Sequence, residues 1–183
     1  RVDDLRGISF SFWMNVDSFA NSWMPVIFKG TTNSNQRSYA LWLNSSGYLQ
    51  FETSDSSGLQ SYTTASGLIG VGAWHHIAGV VDRDNGSLRL WVNGVERING
   101  SIRTGNMVQN NNQLLIGHTL ESSTSYSRLA GKIDEFALWT EARTSNAILA
   151  PYFQSKWLGE PRSTGNLLST FSFTVSEKLL SRS

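Results

Sequence analysis

The chain has 183 residues, 39% hydrophobic and 16% charged, enough for one domain with a real core and too even a mixture for a disordered or fibrous protein. Without cysteine it has no disulfide, thiolate metal site or cysteine nucleophile, and 15 Lys and Arg against 14 Asp and Glu, scattered singly, leave no electrostatic footprint for nucleic acid or an anionic membrane surface. No apolar run approaches the roughly 20 residues that span a bilayer as a helix, so no membrane insertion is expected.

The chain opens on Arg1 with no initiator Met and no signal-peptide pattern, which leads to the expectation of a processed product or a piece of something longer. Its 7 Trp, 9 Phe and 5 Tyr are set among many Ser, Thr, Asn and Gly, with 3 Pro. That composition is expected of an extracellular or surface-exposed β-protein, whether secreted, on a cell or on a virion.

Alternation predicts the first strand. Over residues 8–16 every even position is apolar (Ile8, Phe10, Phe12, Met14, Val16), so a pleated strand puts these on one face and Ser9, Ser11 and Asn15 on the other. Residues 24–29 form a short apolar run closed by Gly30, and the polar residues 31–37 read as a loop. Tyr39, Leu41 and Leu43 then share a face, Ser45, Ser46 and Gly47 turn the chain, and Leu49 and Phe51 face inward on the return. After a turn at 55–58, residues 59–64 make a weak strand.

Residues 74–82 are the longest apolar strand; Asp84, Asn85 and Gly86 supply a tight turn, and Leu88, Leu90 and Val92 face inward on the way back. Asn93-Gly94 turns the chain again into 95–98. Beyond Asn110, Asn111 and Asn112 come a strand at 113–117 and a last long one at 130–139. One helix is predicted: Thr144 or Ser145 caps it, Ala147, Ile148 and Leu149 begin it, and Pro151 makes it short or broken. About ten short strands with frequent turn signals predict an all-β fold of two antiparallel sheets packed face to face, a sandwich or jelly roll.

Several phrases occur in a fixed order: Phe10-Ser11-Phe12-Trp13-Met14, Ile27-Phe28-Lys29-Gly30, residues 39–47, Trp74-His75-His76-Ile77-Ala78, Leu88 through Gly94, Leu115-Ile116-Gly117 and Gly131-Lys132-Ile133-Asp134-Glu135-Phe136. In order and spacing the chain resembles the laminin G-like jelly rolls of the concanavalin A-like lectin/glucanase superfamily, from Ile8 to about Leu149. The sandwich is therefore assigned to residues 1–157, with 158–183 as a C-terminal extension. Family members usually open with an additional strand, and here only residues 1–7 precede the first. The strand-like segment 166–175 fills that place, as in a permuted sandwich, or pairs with another chain, or starts a further module.

Because the superfamily includes glucanases, the resemblance raises glycoside hydrolysis. It needs two carboxyl groups in one cleft, about 5 Å apart for retention or about 6.5 to 9.5 Å for inversion. On a strand Asp134 and Glu135 point to opposite faces, and Asp82 and Asp84 lie where aspartate is ordinary turn chemistry. His75 and His76 likewise face opposite ways and cannot share a ligand; both read as structural. No catalytic residue is assigned. The Asn-x-Ser triplets at Asn44, Asn85 and Asn99 receive no function.

The resemblance implies a calcium site: in similar members the aspartate of the last long strand contributes to one, with carbonyls and an acid of the N-terminal segment. Asp134 occupies that position, and Asp3 or Asp4 is its expected partner. The alternative is that Asp134 bonds backbone at the strand edge. Carbohydrate recognition needs an aromatic face framed by amides and hydroxyls. Strand parity puts Trp42, Trp91 and Arg89 on the sides of their sheets away from the leucines, as a sugar platform or as a second half of the core. Trp23 and Tyr126 are loop aromatics and, with Asn110 and Asn111, candidates for a loop-end site. The leading expectation is a non-catalytic recognition module binding glycan or a protein surface, with calcium ordering one edge. The alternative is a structural or assembly module of a virion or cell-surface adhesin, self-associating through the tail. A glycoside hydrolase comes third.

Overall fold

The computed structural model describes residues 5–157 and Thr174–Val175. Strand β1 (Gly7–Ser18) lies between β10 (Ala130–Trp139) and β6 (Trp74–Asp82), and β7 (Ser87–Val92) and β8 (Val95–Ser101) follow outward from β6. The second sheet runs β5 (Gly58–Thr63), β4 (Leu49–Asp55), β3 (Tyr39–Asn44), β2 (Trp23–Lys29) and β9 (Leu115–Ile116). Neighbours in both sheets are antiparallel. The exception is β11 (Thr174–Val175), which pairs in parallel with Ala137 and Leu138 at the edge of β10. The expected antiparallel two-sheet sandwich is the fold.

Its core is the apolar parity of the strands made solid. Ile8, Phe10, Phe12, Met14 and Val16 are all at most 1% exposed, and they meet Leu41, Leu43, Leu49 and Phe51 of the facing sheet. Phe10 stacks on Phe12 at 5.8 Å between ring centroids and meets Phe51 edge-on at 5.3 Å, the offset arrangements that ring quadrupoles favour.

The turns follow their residues. Asn93 and Gly94 both have positive φ, 51° and 77°, as a two-residue hairpin turn requires, and Gly86 takes φ 63° at the turn before β7. Pro25 has no N–H to give a ladder, and β2 answers with a register shift between Pro25 and Ile27. A second irregularity lies in β10, where Glu135 has φ 51° and the pairing with β1 slips between Ser11 and Trp13.

The alternation of residues 8–16 reads as a half-buried strand and Pro151 as a helix breaker, and both readings change. The second face of β1 is not open: Ser9 and Ser11 are buried, Ser9 Oγ donating to Glu141 O and accepting from Arg143 N, both at 2.8 Å. The helix α1 (Ser145–Trp157) is neither short nor broken at Pro151. Thr144 caps it, its Oγ1 accepting from Ala147 N at 3.4 Å, and Ile148 and Leu149 bury themselves on the outer face of the first sheet with Ala78, Val80 and Trp91. That burial offsets the hydrogen bond the proline removes.

Candidate ligand-binding site

The outer face of the second sheet carries an aromatic and ionic cluster. Parity in β3 turns Trp42 away from the core, onto a separate cluster with Phe28 and Ala40 that Trp23, Leu115 and Tyr126 cover in part. Tyr126 packs on Trp42 at 4.9 Å between centroids, and Trp23 meets Tyr48 edge-on at 5.5 Å. The segment that carries Tyr126, residues 117–129, is sewn to β2 by three backbone bonds, Trp23 N to Ser125 O at 3.0 Å, Ser127 N to Trp23 O at 3.1 Å and Gly117 N to Val26 O at 3.0 Å.

Arg37 lies over the Trp42 ring, its guanidinium carbon 4.9 Å from the centroid. The same guanidinium forms a two-pronged pair with Glu121, Nε to Oε1 at 2.7 Å and Nη2 to Oε2 at 2.5 Å, and its Nη1 donates to Glu52 Oε2 at 2.5 Å. Gln50 Nε2 donates to the other Glu52 oxygen, Oε1, at 2.5 Å. The side chains of Arg37, Glu52 and Glu121 are 7%, 1% and 6% exposed. Burial works against the charged guanidinium, but hydrogen bonds and charge from Glu121 and Glu52 outweigh it and raise the pKa of Arg37. The indole Nε1–H of Trp42 and the hydroxyl of Ser127 are buried without a hydrogen-bond partner.

This site unites three of the expected aromatics, Trp23, Trp42 and Tyr126, but in altered settings. Trp23 begins a strand rather than standing in a loop, and both it and Tyr126 are half-buried. Trp42 is 2% exposed, so as folded its ring offers no open platform. Trp91 is on the opposite outer face of the sandwich, 3% exposed beneath α1, with Arg89 over its ring at 4.7 Å. It belongs to a second core, the other reading that parity left open, and Arg89 is engaged with Glu96 at 2.5 Å. Asn110 serves its own loop: Nδ2 donates to Ser38 Oγ at 2.9 Å and Oδ1 accepts from Asn112 N at 3.2 Å. Asn111 is exposed beside it.

Arg37, Glu52 and Glu121 were not anticipated. Arg37 reads in the sequence as the end of a polar loop, yet Glu52 carries a signal: with Leu49 and Phe51 inward, Gln50 and Glu52 share the outer face and pair with Trp42 and Ala40 of β3. Two carboxylates meet here, as a glycosidase would need, and each of their four oxygens accepts one hydrogen bond, from Arg37 or Gln50.

Among the described residues no group of three or more His, Cys, Asp or Glu is placed to hold a metal. Asp134 Oδ1 accepts from Glu135 N at 2.8 Å across the β10 irregularity, and Asp3 and Asp4 lie outside the described residues. His76 is fully buried, its Nε2 2.9 Å from Ser11 Oγ. His75 is half-buried; Gly70 N donates to its Nε2 at 3.3 Å, and burial lowers its pKa.

The fold recurs among solved structures. A proposed carbohydrate-binding protein from Bacteroides ovatus aligns at a TM-score of 0.63 with 21% identity over 81% of this chain and 41% of that one. The carbohydrate-binding module, family 40, of the Ruminococcus gnavus IT-sialidase, solved with α2,6-sialyllactose, aligns at 0.67 with 14% identity over 81% and 84%. The NanB sialidase of Streptococcus pneumoniae aligns at 0.63 with 15% identity over 78% of this chain and 23% of that one. The chain thus spans about two-fifths of the Bacteroides protein and under a quarter of NanB. Likeness at these identities establishes the fold. Curated protein sequences give no match. A laminin G-type family pattern, described as Concanavalin A-like lectin/glucanases superfamily, matches residues 1–149, and the chain belongs to that superfamily.

Proposed function

We propose that the chain is a non-catalytic glycan-recognition module that binds through the outer face of its second sheet, at the half-buried Tyr126 and Trp23 that rest on the Trp42 cluster. The observation that carries this is the aromatic cluster itself, ringed by Arg37, Gln50 and Glu52. A pyranose has an apolar face that stacks on aromatic rings and hydroxyls that need donors and acceptors at its edge. The likeness to carbohydrate-binding modules supports the reading. The composition suits work outside the cell or at a surface.

The test is a glycan array probed with the wild-type chain and with Tyr126→Ala. A defined set of glycans retained by the wild type and weakened at least about tenfold by the variant is expected, with the melting temperature little changed. Equal retention by both proteins would move the site elsewhere, and an array with no retained glycan would end the reading.

A further inference from the structure

The ion pair at Arg37 has an unusual geography. Glu121 reaches it from residues 117–129, and among the described residues it supplies the hydrogen bonds that tie 118–122 to the rest of the fold. The Tyr126 end of the same segment is held separately, by backbone bonds to Trp23. Residues 118–122, between the Gly117 N–H bond to Val26 O at 3.0 Å and the bonds at Trp23, are thus held by this side-chain pair and by the burial of Thr119, 7% exposed. Leu120, next to Glu121, is 41% exposed, so the apolar contact resisting their release is small. Beneath it lie Arg37 with its two-pronged donor edge and Trp42 with a buried indole N–H that has no acceptor.

We propose that Glu121 occupies, in the closed chain, the place of a ligand's carboxylate, and that the site takes a carboxylate-bearing sugar, which displaces Glu121 from Arg37 and lays its ring beside Tyr126, over the edge of the Trp42 cluster. This rests on the glycan reading above and adds the ligand class and a built-in competitor. The charge balance selects the class. Arg37 now faces two carboxylates, Glu52 and Glu121. Exchange of Glu121 for a sugar carboxylate keeps both prongs filled, one anion for another, and releases Glu121 to water. A neutral sugar entering the same place leaves two guanidinium donors buried and bare, the costly outcome for polar groups away from water. The planar fork of arginine matches a carboxylate in a way an ammonium does not.

Because the closed form competes with the ligand, the apparent affinity is reduced by the fraction of open chain, and weakening the latch restores it. The experiment is calorimetric titration of the full chain and of Glu121→Gln with sialyllactose and with lactose. The expected result is preference for sialyllactose in both proteins and an affinity at least about tenfold higher in Glu121→Gln. Arg37→Lys should lose at least about tenfold for sialyllactose while keeping the weak affinity for lactose. NMR of the unmodified chain gives a readout independent of variant folding: sialyllactose, and not lactose, should shift the Arg37 Nε–H and Trp42 Nε1–H signals and those of residues 118–124. Binding of lactose as tight as that of sialyllactose, or an affinity unmoved by Glu121→Gln, overturns the proposal and leaves the glycan reading standing. If neither sugar binds any form and the glycan array is also blank, both fall together.

Discussion

The ring of Phe10 lies against Gly79 so closely that a Cβ added there would stand 2.3 Å from the ring's Cζ. Gly79 pairs with Phe10 across β1 and β6, at the centre of the first sheet. Gly79→Ala forces the ring off its seat between Phe12 and Phe51, and overpacking of this kind costs about 1–3 kcal/mol. The urea midpoint should fall accordingly with the slope unchanged.

Asp55 anchors a buried pair with Arg83, 3.2 Å away, the two side chains being 2% and 0% exposed, and it also accepts from Arg103 Nε at 2.8 Å. Burial alone would push its carboxyl up; the hydrogen bonds from Arg103 and Ser57 and the charges of Arg103 and Arg83 outweigh that and hold it below the ordinary range. The folded chain therefore binds this proton less readily than the unfolded one. The stability it contributes is complete above the unfolded pKa of about 4 and drains away as pH falls through the lower folded value. Asp55→Asn should cost about 3–5 kcal/mol near neutral pH, the range for breaking a buried ion pair, and should flatten the loss of stability below about pH 4.

Trp91 and Tyr126 separate stability from recognition. Trp91→Ala opens a cavity under α1 beside Ala78, Val80 and Ile148, at about 3–5 kcal/mol, and should leave any glycan affinity intact at temperatures where the chain is folded. Tyr126→Ala should do the reverse. Melting curves and array titrations on the two variants check both halves.

Calcium gives a further check. A calcium site at Asp134 with Asp3 or Asp4 predicts a melting temperature several degrees higher in calcium than in chelator, and coincident curves overturn it. A rise of several degrees with calcium, removed by Asp134→Asn, would bring Asp3 or Asp4 to that strand.

The inner half of the sandwich was legible because period-two alternation in β1, β3 and β7 names the buried side chains directly, and Asn93-Gly94 names its turn. The outer faces were not. Parity says that Trp42 and Trp91 leave the core but not what covers them, which depends on where residues 117–129 and α1 pack. Arg37 and Glu121 are 84 positions apart and Arg37 and Glu52 15 apart, each ordinary in its own stretch, so only the fold makes them a cluster. The positive φ of Glu135 left no mark in a segment that otherwise alternates plausibly as a strand.

The segment from 117 to 129 is fastened on its first half by the Gly117 bond to Val26 and the ion pair at Arg37, and on its second by backbone at Trp23, with the exposed residues 122–125 between them. A protease cut at that tip would make two arms of unequal strength. Because the Arg37–Glu121 pair is buried, salt would screen it little, and Glu121→Gln in the nicked chain would loosen the arm bearing residue 121 while the one bearing Tyr126 stayed in place.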